Sequence, residues 1–202
     1  NIILIVDEIT SCWRDCKGGI YKKIGLNPDL VIYGKALGNG FAISAVVGKK
    51  KVMDTAQDTF VSSTAWTERV GFAAGLGVIK YHEKINVFSH NKNIGKKIKK
   101  GWIKLAKKHN LKIEVNSLDT IINFNFLYKN KNNYLITLFT ELMLKENMLA
   151  NNIIYVSFSH KERLILKYLR SVDKVFYKIS NFLKTNKGKL KSEVRKINYI
   201  RI

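Results

Sequence analysis

The sequence is poor in several features that define whole classes of protein. It has one proline and two cysteines in 202 residues, and its 15 acidic residues are outnumbered by 36 lysines and arginines. Cys12 and Cys16 are too few for a disulfide framework, and four scattered histidines provide no second pair of metal ligands. No apolar run approaches the roughly twenty residues of a membrane span, and no secretory signal is recognisable. We therefore expect free thiols in a cytoplasmic protein, without a metal site and without a membrane span.

The net charge of +21 is the largest compositional deviation. Such an excess is typical of proteins that bind nucleic acid or anionic surfaces. Here, however, the lysines accompany abundant asparagine and isoleucine, all of which are encoded by A- and T-rich codons. Mutational bias can therefore produce the positive charge without any anionic partner that binds it. The lysines are also spread along predicted helices, apart from a cluster at residues 96–100. Nucleic acid is therefore not the expected partner, and a non-catalytic basic binding module is kept as the alternative.

Two short apolar runs near the start of the chain each lead into a charged residue. Residues 2–6 run into Asp7, and residues 29–33 run into Gly34 and Lys35. Continuous β-branched runs of this kind are typical of strands buried on both faces of a parallel sheet. Ligands bind beyond the carboxyl ends of such strands, which is where Asp7 and Lys35 fall. A glycine-rich turn at residues 35–40 and a third apolar run at residues 43–47 follow.

A lysine and a carboxylate at neighbouring strand ends suit pyridoxal phosphate (PLP) chemistry. The cofactor needs an amine that forms a Schiff base with its aldehyde, and a carboxylate that keeps its pyridine nitrogen protonated. Taken singly, each residue also has an ordinary explanation, because Asp at a strand end often caps a helix or forms a turn and Lys is usually solvated. The ordered pair, Asp7 with Lys35, favours the cofactor site.

The residues around this pair resemble one enzyme family. Asp7-Glu8-Ile9-Thr10 with Arg14, then residues 27–40 and 43–48, resemble the class III (subgroup II) PLP-dependent aminotransferases, and within them the glutamate-1-semialdehyde 2,1-aminomutase branch. The resemblance implies that Asp7 contacts the pyridine nitrogen, Ile9 packs against the ring and Lys35 carries the Schiff base. One departure is that Ser11-Cys12 replaces the glycine that usually follows the threonine of the aspartate motif.

A second matching segment, residues 62–69 followed by 73–75, resembles the threonine-containing segment of the family. The resemblance implies that Thr64 reaches the cofactor phosphate of the other subunit of a homodimer. Thr67-Glu68-Arg69 stands where the family has glycine-asparagine-proline. The alternative for Thr64 is that it caps a helix beginning near Trp66, since threonine is a good N-cap.

The hydrophobic pattern divides the chain at about residue 85. Residues 1–85 are predicted to form part of a large PLP-binding domain, and residues 86–202 a linking helix and a small α+β domain. Helices are predicted at 66–81, 86–109, 134–148 and 161–184, and strands at 112–115, 120–126 and 153–156. Residues 157–160 lie between a predicted strand and a predicted helix, where we expect Ser159 to cap the helix; the alternative, by analogy with the family, is that they border a substrate entrance.

The resemblance covers only the C-terminal half of a fold-type I PLP-transferase large domain, which is an α/β domain with a mainly parallel sheet, and the small domain after it. The phosphate cradle and the aromatic residue that stacks on the ring belong to the other half. We therefore expect an aminotransferase or aminomutase that uses amino-group donors and carbonyl compounds, present as an N-terminally truncated portion that is inactive alone. One subunit of a split enzyme is the alternative. Half a sheet also exposes apolar faces and an unpaired edge.

Overall fold

The computed structural model describes residues 2–116, 118–186 and 190–196. It divides into two compact units, Asn1–His90 and Asn91–Ile202. No helix among the described residues is long and apolar enough to cross a membrane, and both cysteines carry free thiols.

The first unit contains a three-stranded sheet, which brings two strand ends together. Its central strand pairs in parallel with the first strand and antiparallel with the third. A short helix and a long helix follow the sheet. The elements are β1 (Ile5–Asp7), β2 (Leu30–Tyr33), β3 (Ala45–Gly48), α1 (Lys50–Met53) and α2 (Arg69–Lys84).

Burial in this sheet differs from the sequence prediction. The central strand β2 buries Val31 and Tyr33, which pack with Cys12 and Leu37 in a small core. The strand β1, in contrast, lies at the edge of the sheet, and Ile2 and Ile5 are 97% and 54% exposed. The prediction that the first apolar run is buried on both faces is therefore wrong for this chain. The exposed run matches the apolar faces expected of half a sheet.

The second unit is an antiparallel sheet packed against helices, which confirms the predicted α+β architecture. The central strand alternates as predicted, with Ile122, Phe124 and Phe126 buried and the residues between them half-buried. Phe124 lies at the centre of the core, in ring contact with Trp102, Phe139 and Phe176. The elements are α3 (Val87–Lys108), which begins in the first unit, β4 (Ile113–Val115), β5 (Ile121–Phe126), α4 (Asn132–Lys145), β6 (Ile153–Tyr155) and α5 (Glu162–Thr185).

The suggested cap at Ser159 is not present. The N-cap residue of α5 is Lys161, and it makes no side-chain capping hydrogen bond. Ser157 instead forms a turn with His160, whose Nδ1 accepts the Ser157 backbone N–H at 3.1 Å. This turn leads from β6 into the helix without a serine cap.

His82 on α2 makes the stability of the first unit depend on pH. Its ring lies 4.8 Å from that of Phe88, its Nδ1 is buried without a hydrogen-bond partner among the described residues, and burial lowers the pKa of His82. As the pH falls below about 6.5, the unfolded chain therefore binds a proton that the folded chain still excludes, so stability falls. Urea unfolding at pH 7.5 and 5.5 should show this loss in the wild type and a smaller one in His82→Phe. An equal loss in both proteins would contradict this account of His82.

Candidate active site

Asp7 and Lys35 lie at the same edge of the first sheet. Asp7 is the last residue of β1 and is in register with Ile32 of β2. Lys35 comes two residues after the end of β2, as the first residue of a 3-10 turn, Lys35–Leu37. Because β1 and β2 are parallel, their carboxyl ends point the same way, which is the usual position of a ligand site in an α/β sheet.

Hydrogen bonds tie both residues to one short turn that follows β1. The ammonium group of Lys35 donates to Thr10 Oγ1 at 2.6 Å, and Asp7 Oδ1 accepts the backbone N–H of Ile9 at 2.9 Å. Ile9 packs beside Gly34, since a Cβ built on Gly34 would lie 3.4 Å from Ile9 Cγ2. The structure therefore brings Asp7, Ile9 and Lys35 into one neighbourhood, with Thr10 as the residue that holds the amine.

Two buried side chains beneath this neighbourhood, Cys12 and Glu8, were not predicted from the sequence as part of the site. The Cys12 thiol donates to the carbonyl of Gly34 at 3.1 Å, and burial raises the pKa of Cys12, so it remains a thiol donor. The Glu8 carboxylate, 3% exposed, accepts the Tyr21 N–H at 2.8 Å and the Ser11 hydroxyl. The Cys12 contact fixes the segment after β1 against the start of the Lys35 turn, and the Glu8 contacts hold that segment against Tyr21. The signal that could have found Glu8 is strand alternation, because it points Glu8 inward when Asp7 points outward.

The backbone of Lys35 adopts a conformation that its residue type disfavours. Its φ is +41°, in the left-handed region, where a non-glycine residue costs on the order of 1 kcal/mol. Gly34 just before it is extended and lacks a side chain at the point where Ile9 approaches. Because a lysine at this position lowers the stability of the fold relative to glycine, its presence is consistent with a functional requirement for its amine.

Thr64 is not brought to this cluster by any contact among the described residues. It is exposed, and its side chain has no hydrogen-bond partner in the described part of the chain. The helix α2 begins at Arg69 with Glu68 as its N-cap residue and no side-chain cap. The alternative that Thr64 caps this helix is therefore wrong, whereas its contact with a cofactor phosphate stays a prediction.

The donor set at the sheet edge fits an aldehyde cofactor with a basic ring nitrogen. Lys35 offers an exposed primary amine, and the Asp7 carboxylate is exposed with Oδ1 engaged by Ile9, while Oδ2 accepts no hydrogen bond from the described residues. A primary amine can bond an aldehyde carbon, and a free carboxylate oxygen can accept a ring N–H⁺. Among the described residues no group of three His, Cys, Asp or Glu side chains could hold a metal ion.

The chain is similar in sequence to known aminotransferases and aminomutases. The chain is 32% identical over 111 residues to the 2'-deamino-2'-hydroxyneamine transaminase of Streptomyces kanamyceticus, which covers 55% of this chain and 28% of that protein. It is 28% identical over 212 residues to a glutamate-1-semialdehyde 2,1-aminomutase of Campylobacter hominis, covering 96% of this chain and 47% of the relative. The chain thus spans less than half the length of these relatives.

The fold also matches that of solved transaminases. The FumI protein of Sphingopyxis sp. MTA144, solved in its PLP internal aldimine form, superposes with a TM-score of 0.78 at 21% identity, over 90% of this chain and 44% of that one. This likeness shows that the chain has part of a fold-type I architecture. The family model described as aminotransferase class-III matches residues 1–160. The chain therefore belongs to the class-III aminotransferase family.

Proposed function

We propose that the whole protein is a PLP-dependent aminotransferase or aminomutase, with Lys35 as the residue that bonds the cofactor. The observation that carries this proposal is the placement of Lys35 and Asp7 at one edge of a parallel strand pair, both tied to the turn at residues 7–10. The substrates are an amino-group donor and a carbonyl compound, or one molecule that contains both groups. The names of the family's relatives, transaminases and aminomutases, support this class of reaction.

Each residue of the candidate site would have its own role in the reaction. When bound, PLP supplies an electron sink that makes the α-hydrogen of an attached amine acidic. Lys35 would hold the cofactor through its aldehyde carbon, and its amine would serve as general base and general acid at the substrate carbon. The Asp7 carboxylate would hold the ring nitrogen in its protonated form. Ile9 would lie against the ring, and Thr10 accepts the hydrogen bond of 2.6 Å that orients the Lys35 amine.

The proposal includes a homodimer that acts in the cytoplasm. In it, Thr64 reaches the cofactor phosphate of the other subunit. Thr64 is exposed and engages no described residue of its own chain, which leaves its hydroxyl available for such a contact. The presence of two free thiols supports a reducing compartment.

Trapping of the cofactor bond tests the proposal. The whole protein should be incubated with PLP, reduced with borohydride and digested, and mass spectrometry should then locate the pyridoxyl group on Lys35. The Lys35→Ala variant should carry no pyridoxyl group on that peptide. The control is Lys49→Ala, because Lys49 pairs with Asp29 at 2.9 Å; this variant should be labelled at Lys35 like the wild type. A pyridoxyl group on other lysines only would refute the assignment of Lys35.

We further propose that the 202-residue chain by itself does not catalyse transamination. It spans less than half the length of its relatives, and Asp7 and Lys35 are both exposed in it, so water is not excluded from the reacting groups. An assay of the 202-residue chain with PLP, an amino donor and a 2-oxo acid should give no product. Turnover by this chain alone would contradict the proposal.

A further inference from the structure

Helices α3 and α5 of the second unit lie side by side and run in the same direction. Three contacts join residues 65 or 66 positions apart: Lys97 Nζ to Glu162 Oε1 at 2.6 Å, Trp102 Nε1 to Tyr168 Oη at 2.9 Å, and Lys108 Nζ to Asp173 Oδ2 at 2.7 Å. Because the partner number rises with the α3 number, the two helices are parallel.

The sides of α3 and α5 that face the core are buried by packing. Ile98 and Trp102 on α3 and Val172 and Phe176 on α5 are at most 1% exposed. The opposite sides carry cations at the spacing i, i+4, i+7, which places each set on one stripe of its helix. We call these residues the basic face; they are Lys100, Lys104 and Lys107 on α3, and Arg163, Lys167 and Arg170 on α5.

Acidic side chains of the described residues do not neutralise the basic face. All six side chains are exposed, and within the described residues none of them has an acidic partner. The two acidic residues that lie between the helices, Glu162 and Asp173, are already paired with Lys97 and Lys108. Six unpaired cations on adjoining parallel helices repel one another, and a polyanion would relieve that repulsion.

The form of the basic face suits the phosphate backbone of a nucleic acid. A stripe from i to i+7 is about 10 Å long, and about 10 Å of duplex carries about six phosphates. The two arginines can form the two-pronged hydrogen bonds that phosphate oxygens accept. A membrane-surface helix, in contrast, needs a continuous apolar face to insert into the bilayer. Here the main apolar faces of both helices are buried in the core, and the exposed apolar residues Ile103, Leu164 and Leu166 are single positions among the cations.

We propose that the basic face binds the phosphate backbone of nucleic acid, independently of the Lys35 site and without base recognition. The sequence alone does not predict such a partner, because the lysines are spread along the chain. The parallel pairing of α3 and α5 places cations more than fifty positions apart in sequence on one surface.

Salt-dependent binding tests this inference on the 202-residue chain. Fluorescence anisotropy with a labelled 20-base-pair duplex should be measured between 50 and 300 mM salt, since each phosphate contact adds about 0.9 to the slope of log K against log salt. The face variant is Lys100→Gln, Lys104→Gln, Arg170→Gln. We expect it to lower the slope by about 2 to 3 and the affinity at low salt about tenfold or more.

The control variant removes the same net charge elsewhere, by Lys51→Gln, Lys80→Gln, Lys84→Gln. These lysines are exposed and lie in the first unit, so the control should change the affinity by less than about threefold. Equal losses in the two variants would overturn the proposal, as would absence of salt-dependent binding by the wild type. Binding to vesicles of anionic phospholipid without binding to the duplex would overturn it as well.

Discussion

Replacing Asp7 by asparagine in the whole protein should lower kcat/KM for amino transfer by about 100-fold. The amide can still accept the Ile9 N–H that Asp7 Oδ1 accepts at 2.9 Å, so the turn after β1 keeps its shape. What the substitution would remove, in the role proposed for Asp7, is the negative charge against the ring nitrogen of the cofactor. A hydrogen bond to a charged group contributes about 1.5 to 3 kcal/mol, and about 2.7 kcal/mol corresponds to 100-fold in rate.

The measurement is a comparison of kcat/KM with the extent of borohydride trapping at Lys35. Asp7→Asn should retain much of the trapping, because the amine of Lys35 is held by Thr10 and not by Asp7, while kcat/KM falls. The matched control is Asp29→Asn, since Asp29 accepts the Leu4 N–H at 2.8 Å and pairs with Lys49 away from Lys35. If Asp7→Asn stays within threefold of the wild type, Asp7 does not serve the ring nitrogen.

The neighbourhood of Asp7 and Lys35 was predictable from sequence because it depends on local rules. A short apolar run predicts a strand, and the end of that strand fixes where the next side chains lie. The structure ends β1 at Asp7 and β2 at Tyr33, so the two polar positions fall at one edge as soon as the strands pair in parallel. The helices and strands of the second unit followed from periodicity in the same way, with bounds shifted by a few residues.

What the sequence could not provide depends on contacts between distant positions. The hydrogen bond from Cys12 to Gly34 joins residues 22 positions apart, and that from Lys35 to Thr10 joins residues 25 apart. No periodicity encodes either of them. The exposure of β1 was unpredictable for the same reason, because an apolar run predicts a strand but not whether a neighbouring layer covers that strand. The basic face likewise required the pairing of α3 with α5.

Replacing Phe124 by alanine should destabilise the second unit by about 3 to 5 kcal/mol, which is the usual cost of truncating a fully buried phenylalanine. The Phe124 ring is 0% exposed. It lies in edge contact with four aromatic rings, Trp102 at 4.9 Å, Phe139 at 5.2 Å, Phe126 at 5.4 Å and Phe176 at 5.8 Å. These rings come from α3, α4, β5 and α5, so the cavity would open where the helices meet the sheet.

Urea unfolding followed by the fluorescence of Trp102, in a background of Trp13→Phe and Trp66→Phe, measures this loss. The control is Leu166→Ala on α5, whose side chain is 54% exposed and should change stability by less than about 0.5 kcal/mol. A loss below about 1 kcal/mol in Phe124→Ala would mean that the four rings do not form one core. The Trp102 indole also donates to Tyr168 Oη and so joins α3 to α5. Phe124→Ala should therefore weaken duplex binding by the basic face at urea concentrations that leave the wild type folded.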